Sequence, residues 1–197
     1  MKVLFMKKLH EKLASSLFEI ASIVLSSVIA IVCIFAFLFR LVGVDGTSMV
    51  PTLQHKDWLI TSTATSDYEY KDIVIIVQPG MLNEPLVKRV IATGGQWVDV
   101  DYVNGTVSVG DTPDTMVELD EPYIKEPADQ RPFTDNHEYP VQVPEGQLFC
   151  MGDNRNNSTD SRSDLVGFIN EQYVLGKAVY RLVSGDTGFD TSKFNIY

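Results

Sequence analysis

Ser48 lies in the run Gly46-Thr47-Ser48-Met49-Val50-Pro51-Thr52-Leu53, between a permissive glycine and a rigid proline. That is the setting of a side chain held at a bend. A serine hydroxyl becomes a useful nucleophile only when a neighbouring group takes its proton, and a lysine can do so only while neutral. Lys88, in Leu86-Val87-Lys88-Arg89-Val90-Ile91, is the candidate for that group. Two adjacent basic residues in an apolar strand point to opposite faces, so Arg89 can reach solvent or a carboxylate while Lys88 points the other way. Apolar surroundings there penalise the ammonium and favour the free amine.

The third run, Gly152-Asp153-Asn154-Arg155-Asn156-Asn157-Ser158-Thr159-Asp160-Ser161-Arg162, directly follows the apolar residues 148–151. It suits a site built on a loop beside a rigid strand. Asp160 and Arg162 are close enough to pair. A carboxylate matched in this way leaves a nearby lysine free to deprotonate, whereas an unmatched one would keep it charged. Taken singly, each run also has a plain reading as a turn serine, a solvated edge-strand lysine and a polar loop.

The elements that must position these groups begin with an apolar helix. Residues 20–39 contain no charge, and twenty helical residues at ~1.5 Å rise cover ~30 Å, the thickness of a bilayer's hydrocarbon core. Lys2, Lys7, Lys8 and Lys12 precede the run and only Arg40 follows closely. The positive-inside rule then predicts a cytoplasmic tail over 1–18, a transmembrane anchor over 19–42 and an extracytoplasmic domain over 43–197. The rival is a signal peptide cut after Val28-Ile29-Ala30, but the apolar run outlasts the ~7–15 residues of such a core.

Residues 1–42 carry five basic and two acidic groups, a net of +3, and the other 155 carry eleven and twenty-four, a net of −13. A domain so acidic repels nucleic acid. Cys33 and Cys150 fall in different surroundings, so no disulfide is expected, and Cys150 reads as a small buried side chain.

Beyond residue 44 the pattern is of short β-branched and aromatic segments: 58–63, 73–77, 86–92, 97–103, 106–109, 147–151 and 174–183. Asn104-Gly105 predicts a type I′ hairpin with positive φ at both positions. Residues 111–144, proline-rich and acidic, read as a loop-rich insertion, and 170–173 as a short helix. The fold class expected is mainly β: one transmembrane helix followed by an antiparallel β-sheet catalytic domain.

With the helix in front and Tyr70-Lys71-Asp72-Ile73-Val74 between them, the three runs in this order resemble the bacterial type I signal peptidases. The short stretch between the second and third runs is similar to the smaller Gram-positive form. The forty-residue Ser-to-Lys separation also resembles the self-cleaving repressor proteases, which share the catalytic β core. The likeness extends from the anchor to about Tyr180.

It implies a membrane-bound serine endopeptidase that removes signal peptides from secreted preproteins after small residues, as in Ala-x-Ala. Ser48 is then the nucleophile and Lys88 the general base. Ser158 would hydrogen-bond the amine, and the Asp160–Arg162 pair, supported by Asp153, would brace the loop. The Ser48 backbone N–H would serve the oxyanion. Gly46 stands where Gram-negative members have a serine whose hydroxyl is the second oxyanion donor, so that donor is left unassigned and Gly46→Ser is expected to be tolerated. Met49, Leu53, Leu86 and Val87 flank the dyad and are candidate pocket walls. No metal or cofactor is implied; the partners are preproteins, the lipid bilayer of a bacterial cell membrane and the secretion translocon. A non-catalytic, signal-peptidase-like protein assisting pilus or surface-polymer assembly is the alternative. A self-cleaving regulator would need a DNA-binding domain, and His55 and His137 have no supporting triad motif.

Overall fold

The computed structural model describes residues 2–64, 66–79, 84–132 and 134–183. Nothing in the first forty residues interrupts a helix, and α1 runs Lys2–Leu38. Within it Lys12–Leu38, of mean hydropathy 2.8, is long and apolar enough to cross a membrane. The hydroxyls of Ser22, Ser26 and Ser27 donate to the carbonyls of Phe18, Ile23 and Ile23 in turn. Their polar atoms are thereby satisfied without water.

Residues 2–18 lie within this same helix, and one expected boundary changes. Residues 39–42, expected inside the anchor, belong to strand β1 (Phe39–Gly43), paired antiparallel with β2 (Trp58–Ser62) from Phe39↔Ser62 to Gly43↔Trp58. Apolar continuity did not end at residue 38; the hydrogen-bonding partner did change there, and pairing outweighs local pattern. The chain accordingly divides into two compact units between Leu38 and Phe39.

The second unit continues with β3 (Ile73–Ile76), β4 (Leu86–Thr93), β5 (Trp97–Asp101), β6 (Thr106–Gly110), β7 (Val117–Glu118), β8 (Val141–Gln142), β9 (Gln147–Met151), β10 (Ile169–Asn170) and β11 (Val174–Val183). Seven strands form an antiparallel sheet in the order β1-β2-β11-β3-β4-β9-β10, and four form a smaller one in the order β7-β6-β5-β8. The expected segments became strands in every case. The turn at 170–173 is a 3-10 helix, Glu171–Tyr173, with the Asn170 side chain accepting from the Gln172 N–H.

Two features of the smaller sheet differ from expectation. The β5–β6 loop spans residues 102–105, since Asp101 pairs with Thr106, and only Gly105 has positive φ, at 73°. Asp101 explains this: its carboxylate accepts the N–H groups of Val103 and Asn104 and the Asn104 amide, holding Asn104 out of the left-handed region. Segment 111–144 is more than an excursion. It supplies β7 and β8 and places Ala128 and Val143, 0% and 1% exposed, in a core with Val98, Val100, Val107, Phe149 and Met151.

Strand alternation decides what surrounds Lys88. The β3–β4 register sets Val74 opposite Lys88, Ile75 opposite Val87 and Ile76 opposite Leu86. Leu86, Lys88 and Val90 therefore share one face, where Val74, Ile76, Val90, Leu148, Cys150 and Ile169 form a core cluster. Val87 lies on the opposite face with Met49, Leu53, Leu59, Ile73, Ile75 and Ala178.

Strand β11 also reaches the loop between β1 and β2. Arg181 Nη1 donates to the Thr52 carbonyl at 3.0 Å and to Asp57 Oδ2 at 3.2 Å, and that same oxygen accepts the Gln54 N–H at 2.8 Å. Asp57 is 0% exposed. Arg181→Met leaves this carboxylate buried without its cation and is expected to destabilise the domain by about 3–5 kcal/mol. Thermal unfolding of the detergent-solubilised variant measures it, and a wild-type melting curve would contradict the role given to the pair.

Candidate active site

Ser48 sits on a turn plugged into the core on its C-terminal side. Met49 and Leu53 are 2% and 0% exposed, and the Leu53 N–H donates to the Met49 carbonyl at 2.9 Å. The base of the loop closes through Val44 N–H to Asp57 O at 2.8 Å and Lys56 N–H to Val44 O at 2.9 Å. The nucleophile candidate is half-buried while its neighbours hold the turn in place. Gly46 has a φ of +96°, a left-handed conformation that favours glycine, and its N–H donates to His55 Nδ1 at 3.3 Å.

Lys88 Nζ lies 2.6 Å from Ser48 Oγ. The lysine is 3% exposed and, among the described residues, has no carboxylate within ion-pair distance. Burial pushes its pKa below the ordinary 10.5. Asp160 pulls it back up and Arg162 pushes it down again, with smaller upward contributions from Cys150 and Asp153. Burial wins because the flanking positions are Val74, Leu86 and Val90, none of which solvates an ammonium.

The Gly152–Arg162 loop wraps this pair. Asp160 and Arg162, both 0% exposed, form a two-pronged bond of 2.8 Å from Nε to Oδ1 and 2.8 Å from Nη2 to Oδ2. Burial alone would raise the Asp160 pKa; the Arg162 charge, its hydrogen bonds and the Gly152 N–H hold it below the usual carboxylate range. The loop is tied to the nucleophile's turn by Asn154, whose N–H donates to the Ser48 carbonyl at 2.9 Å and whose amide donates to the Thr47 carbonyl at 3.1 Å. Asn157 adds a bond to Thr47 Oγ1 at 3.1 Å. Among the described residues the Ser48 N–H has no intramolecular acceptor, which leaves it free to receive a ligand oxygen.

The expected site residues Ser48, Lys88, Asp160 and Arg162 thus converge, and two other expectations change. Ser158 makes no bond to the lysine: its Oγ is buried without a partner among the described residues, beside Gly152, while the amine is directed at Ser48. Asp153 does not support the Asp160–Arg162 pair. It grips Arg89 through two bonds of 2.8 and 2.7 Å and accepts the Thr52 hydroxyl, so it links β4 to the nucleophile's turn. Of the two partners open to Arg89, solvent or a carboxylate, it takes the carboxylate, and it is 1% exposed with the face of Tyr123 4.0 Å away at the ring centre.

The four candidate pocket residues do not make one wall. Met49, Leu53 and Val87 pack on the face opposite Lys88, and Leu86 alone shares its side. Sequence reading passed over Asn154, Arg155 with Glu121, and Thr52. Asn154 and Arg155 lay inside the third run, while Glu121 carried no sequence signal because its partner is thirty-four positions away.

The signal peptidase, peptidase S26, family model matches residues 17–183. Signal peptidase I from Bacillus amyloliquefaciens is 33% identical over 188 residues, covering 89% of this chain and 94% of its own. Its counterpart from Bacillus licheniformis is 34% identical, covering 84% and 88%. A probable signal peptidase I-1 from a Synechocystis strain is 36% identical, covering 70% and 68%. This chain belongs to the signal peptidase, peptidase S26, family.

Two glycines test the geometry. A methyl at Gly152 would fall 2.5 Å from the Ser48 carbonyl oxygen and onto Ser158 Oγ, so Gly152→Ala should cost about 1–3 kcal/mol of stability and reduce kcat well beyond that loss. At Gly46 a Cβ meets nothing within 4 Å, but φ of +96° strains any other residue. The space suits a serine and the backbone does not, so Gly46→Ser should lower stability by about 1–3 kcal/mol. Melting curves together with peptide-cleavage rates check both.

Proposed function

We propose that this chain removes signal peptides with Ser48 as nucleophile and Lys88 as general base. Family membership makes it a peptidase of preproteins that carry signal peptides. The observation that supports the residue roles is the 2.6 Å contact between a solvent-poor, charge-unmatched amine and a half-buried hydroxyl.

In this reading neutral Lys88 takes the proton from Ser48 Oγ as that oxygen attacks the carbonyl carbon of the scissile peptide. The Ser48 N–H stabilises the resulting oxyanion, a contribution typically of about 3–4 kcal/mol for one such donor. The Lys88 ammonium passes its proton to the leaving amine, and the acyl-enzyme forms. Water then attacks the ester carbonyl while the same amine takes its proton, returning Ser48. The cleavage site in this reading carries small residues, as in Ala-x-Ala, as the likeness to signal peptidases implies. The apolar Lys12–Leu38 helix anchors the enzyme in the bacterial cell membrane, with the short amino terminus in the cytoplasm and the β domain outside, where translocated preproteins emerge.

Activity should rise with pH as Lys88 loses its proton and level off below the ordinary lysine value of 10.5. Incubating detergent-solubilised protein with a preprotein bearing an Ala-x-Ala site, and sequencing the new amino terminus across a pH series, tests this. Ser48→Ala and Lys88→Ala should each abolish cleavage while the melting curve persists. Cleavage by either variant, or a rate indifferent to pH, would refute the roles.

The lowered lysine pKa also has a sign for stability. The unfolded chain binds this proton more tightly than the folded one, so its contribution to stability improves as pH rises through the folded value toward 10.5. Lys88→Met removes that penalty, and its stability advantage over wild type should be larger at neutral than at alkaline pH in denaturant titrations.

A further inference from the structure

Glu121 lies outside all three runs, in the segment between β7 and β8, yet its side chain is 6% exposed and its partner Arg155 is 0%. The pair is two-pronged, with Arg155 Nη1 to Oε2 at 2.6 Å and Nη2 to Oε1 at 2.5 Å. Tyr123 donates its hydroxyl to Glu121 Oε1 at 2.9 Å.

From Arg155 the contacts run inward. Its Nε donates to the Gly152 carbonyl at 3.2 Å, and its own carbonyl accepts Arg162 Nη2 at 2.6 Å. Arg162 grips Asp160, and Asp160 accepts the Gly152 N–H at 3.0 Å. The ring thus closes on the glycine packed against the Ser48 carbonyl and Ser158.

We propose that Glu121 is a positioning residue for the dyad: by fixing Arg155 it keeps Arg162 on Asp160, and so keeps the Asp160 charge matched opposite Lys88. The inference rests on the Ser48/Lys88 reading above. The charged or titratable groups acting on Lys88 are Asp160, Arg162 and Asp153 from the loop and Cys150 from β9; its opposite number on β3 is the uncharged Val74. The contacts of Glu121 and Arg155 reach the lysine through the Asp160–Arg162 pair, by way of the Arg155 carbonyl that accepts Arg162 Nη2.

If Arg155 loses its carboxylate, Arg162 loses a fixed carbonyl partner and Asp160 is less completely neutralised. A freer Asp160 charge holds the Lys88 proton more tightly. Glu121→Gln should therefore move the rising limb of the pH–kcat profile upward by about one unit, which is about tenfold lower activity at neutral pH. That loss should shrink as pH rises, with KM little changed.

The experiment measures kcat and KM of full-length protein in detergent, on the Ala-x-Ala preprotein, from about pH 6 to 10. Tyr123→Phe, which removes one bond to Glu121 and leaves the ion pair, should give a smaller shift of the same sign. An unchanged profile, or a loss equal at every pH, overturns the proposal. Where Glu121→Gln fails to fold, Tyr123→Phe decides on the same criterion. Ser48→Ala and Lys88→Ala run in parallel separate the two readings. Cleavage by these variants sinks the dyad itself, whereas their inactivity beside an unshifted Glu121→Gln profile sinks only the role of Glu121.

Discussion

The site depends on one asymmetry of charge. Arg89, Arg155, Arg162 and Arg181 are all buried, and each has a carboxylate in Asp153, Glu121, Asp160 or Asp57. Lys88 is as deeply buried and meets a hydroxyl instead. A guanidinium stays charged in nearly any surroundings, so each arginine fixes a carboxylate in place as a neighbour of known charge. The lysine can shed its proton, and apolar neighbours on β3 and β4 favour that outcome. Had Asp160 been available to Lys88 rather than bound on both oxygens by Arg162, the lysine would have been held as an ammonium.

The same pairs hold separate parts of the chain together around the dyad. Asp153 joins β4 to the turn that carries Ser48, Asp57 joins that turn to β11, and Glu121 joins the segment between the two small strands to the third run. Such pairs contribute less to net stability than their Coulomb attraction suggests, because desolvation offsets much of it. What they supply is register: bidentate geometry admits one relative placement of the two groups. Two irregular loops and one strand are thereby held in place around the 2.6 Å contact between Lys88 and Ser48.

Much of this was legible in the sequence, and the legible part has a physical reason. Strands with β-branched alternation appeared where expected, and the Ser48, Lys88, Asp160 and Arg162 constellation assembled because each group lay in a run with local character. Side chains whose roles depend on distant partners were not legible. Glu121 looked like any acid in a proline-rich stretch, and for Arg89 the choice between solvent and a carboxylate stayed open. Asp153 was expected to support the Asp160–Arg162 pair because it lies in the same run, whereas the fold brought Arg89 to it. The four pocket candidates divide between two faces, since residues 86 and 87 alternate along β4. The anchor's end was misread because the apolar pattern persists into β1, and only pairing with β2 distinguishes the two.

The turn between β6 and β7 differs from the rest of segment 111–144. Residues 111–115 are all exposed, with no buried side chain in their 3-10 turn, while Glu121, Ala128 and Asp135 farther along are buried. Extra length accommodated at that turn leaves the wrapped portion undisturbed. An epitope tag or fluorescent module spliced there would sit on an exposed turn, whereas the same graft a dozen residues later would enter the stretch that carries the buried Ala128.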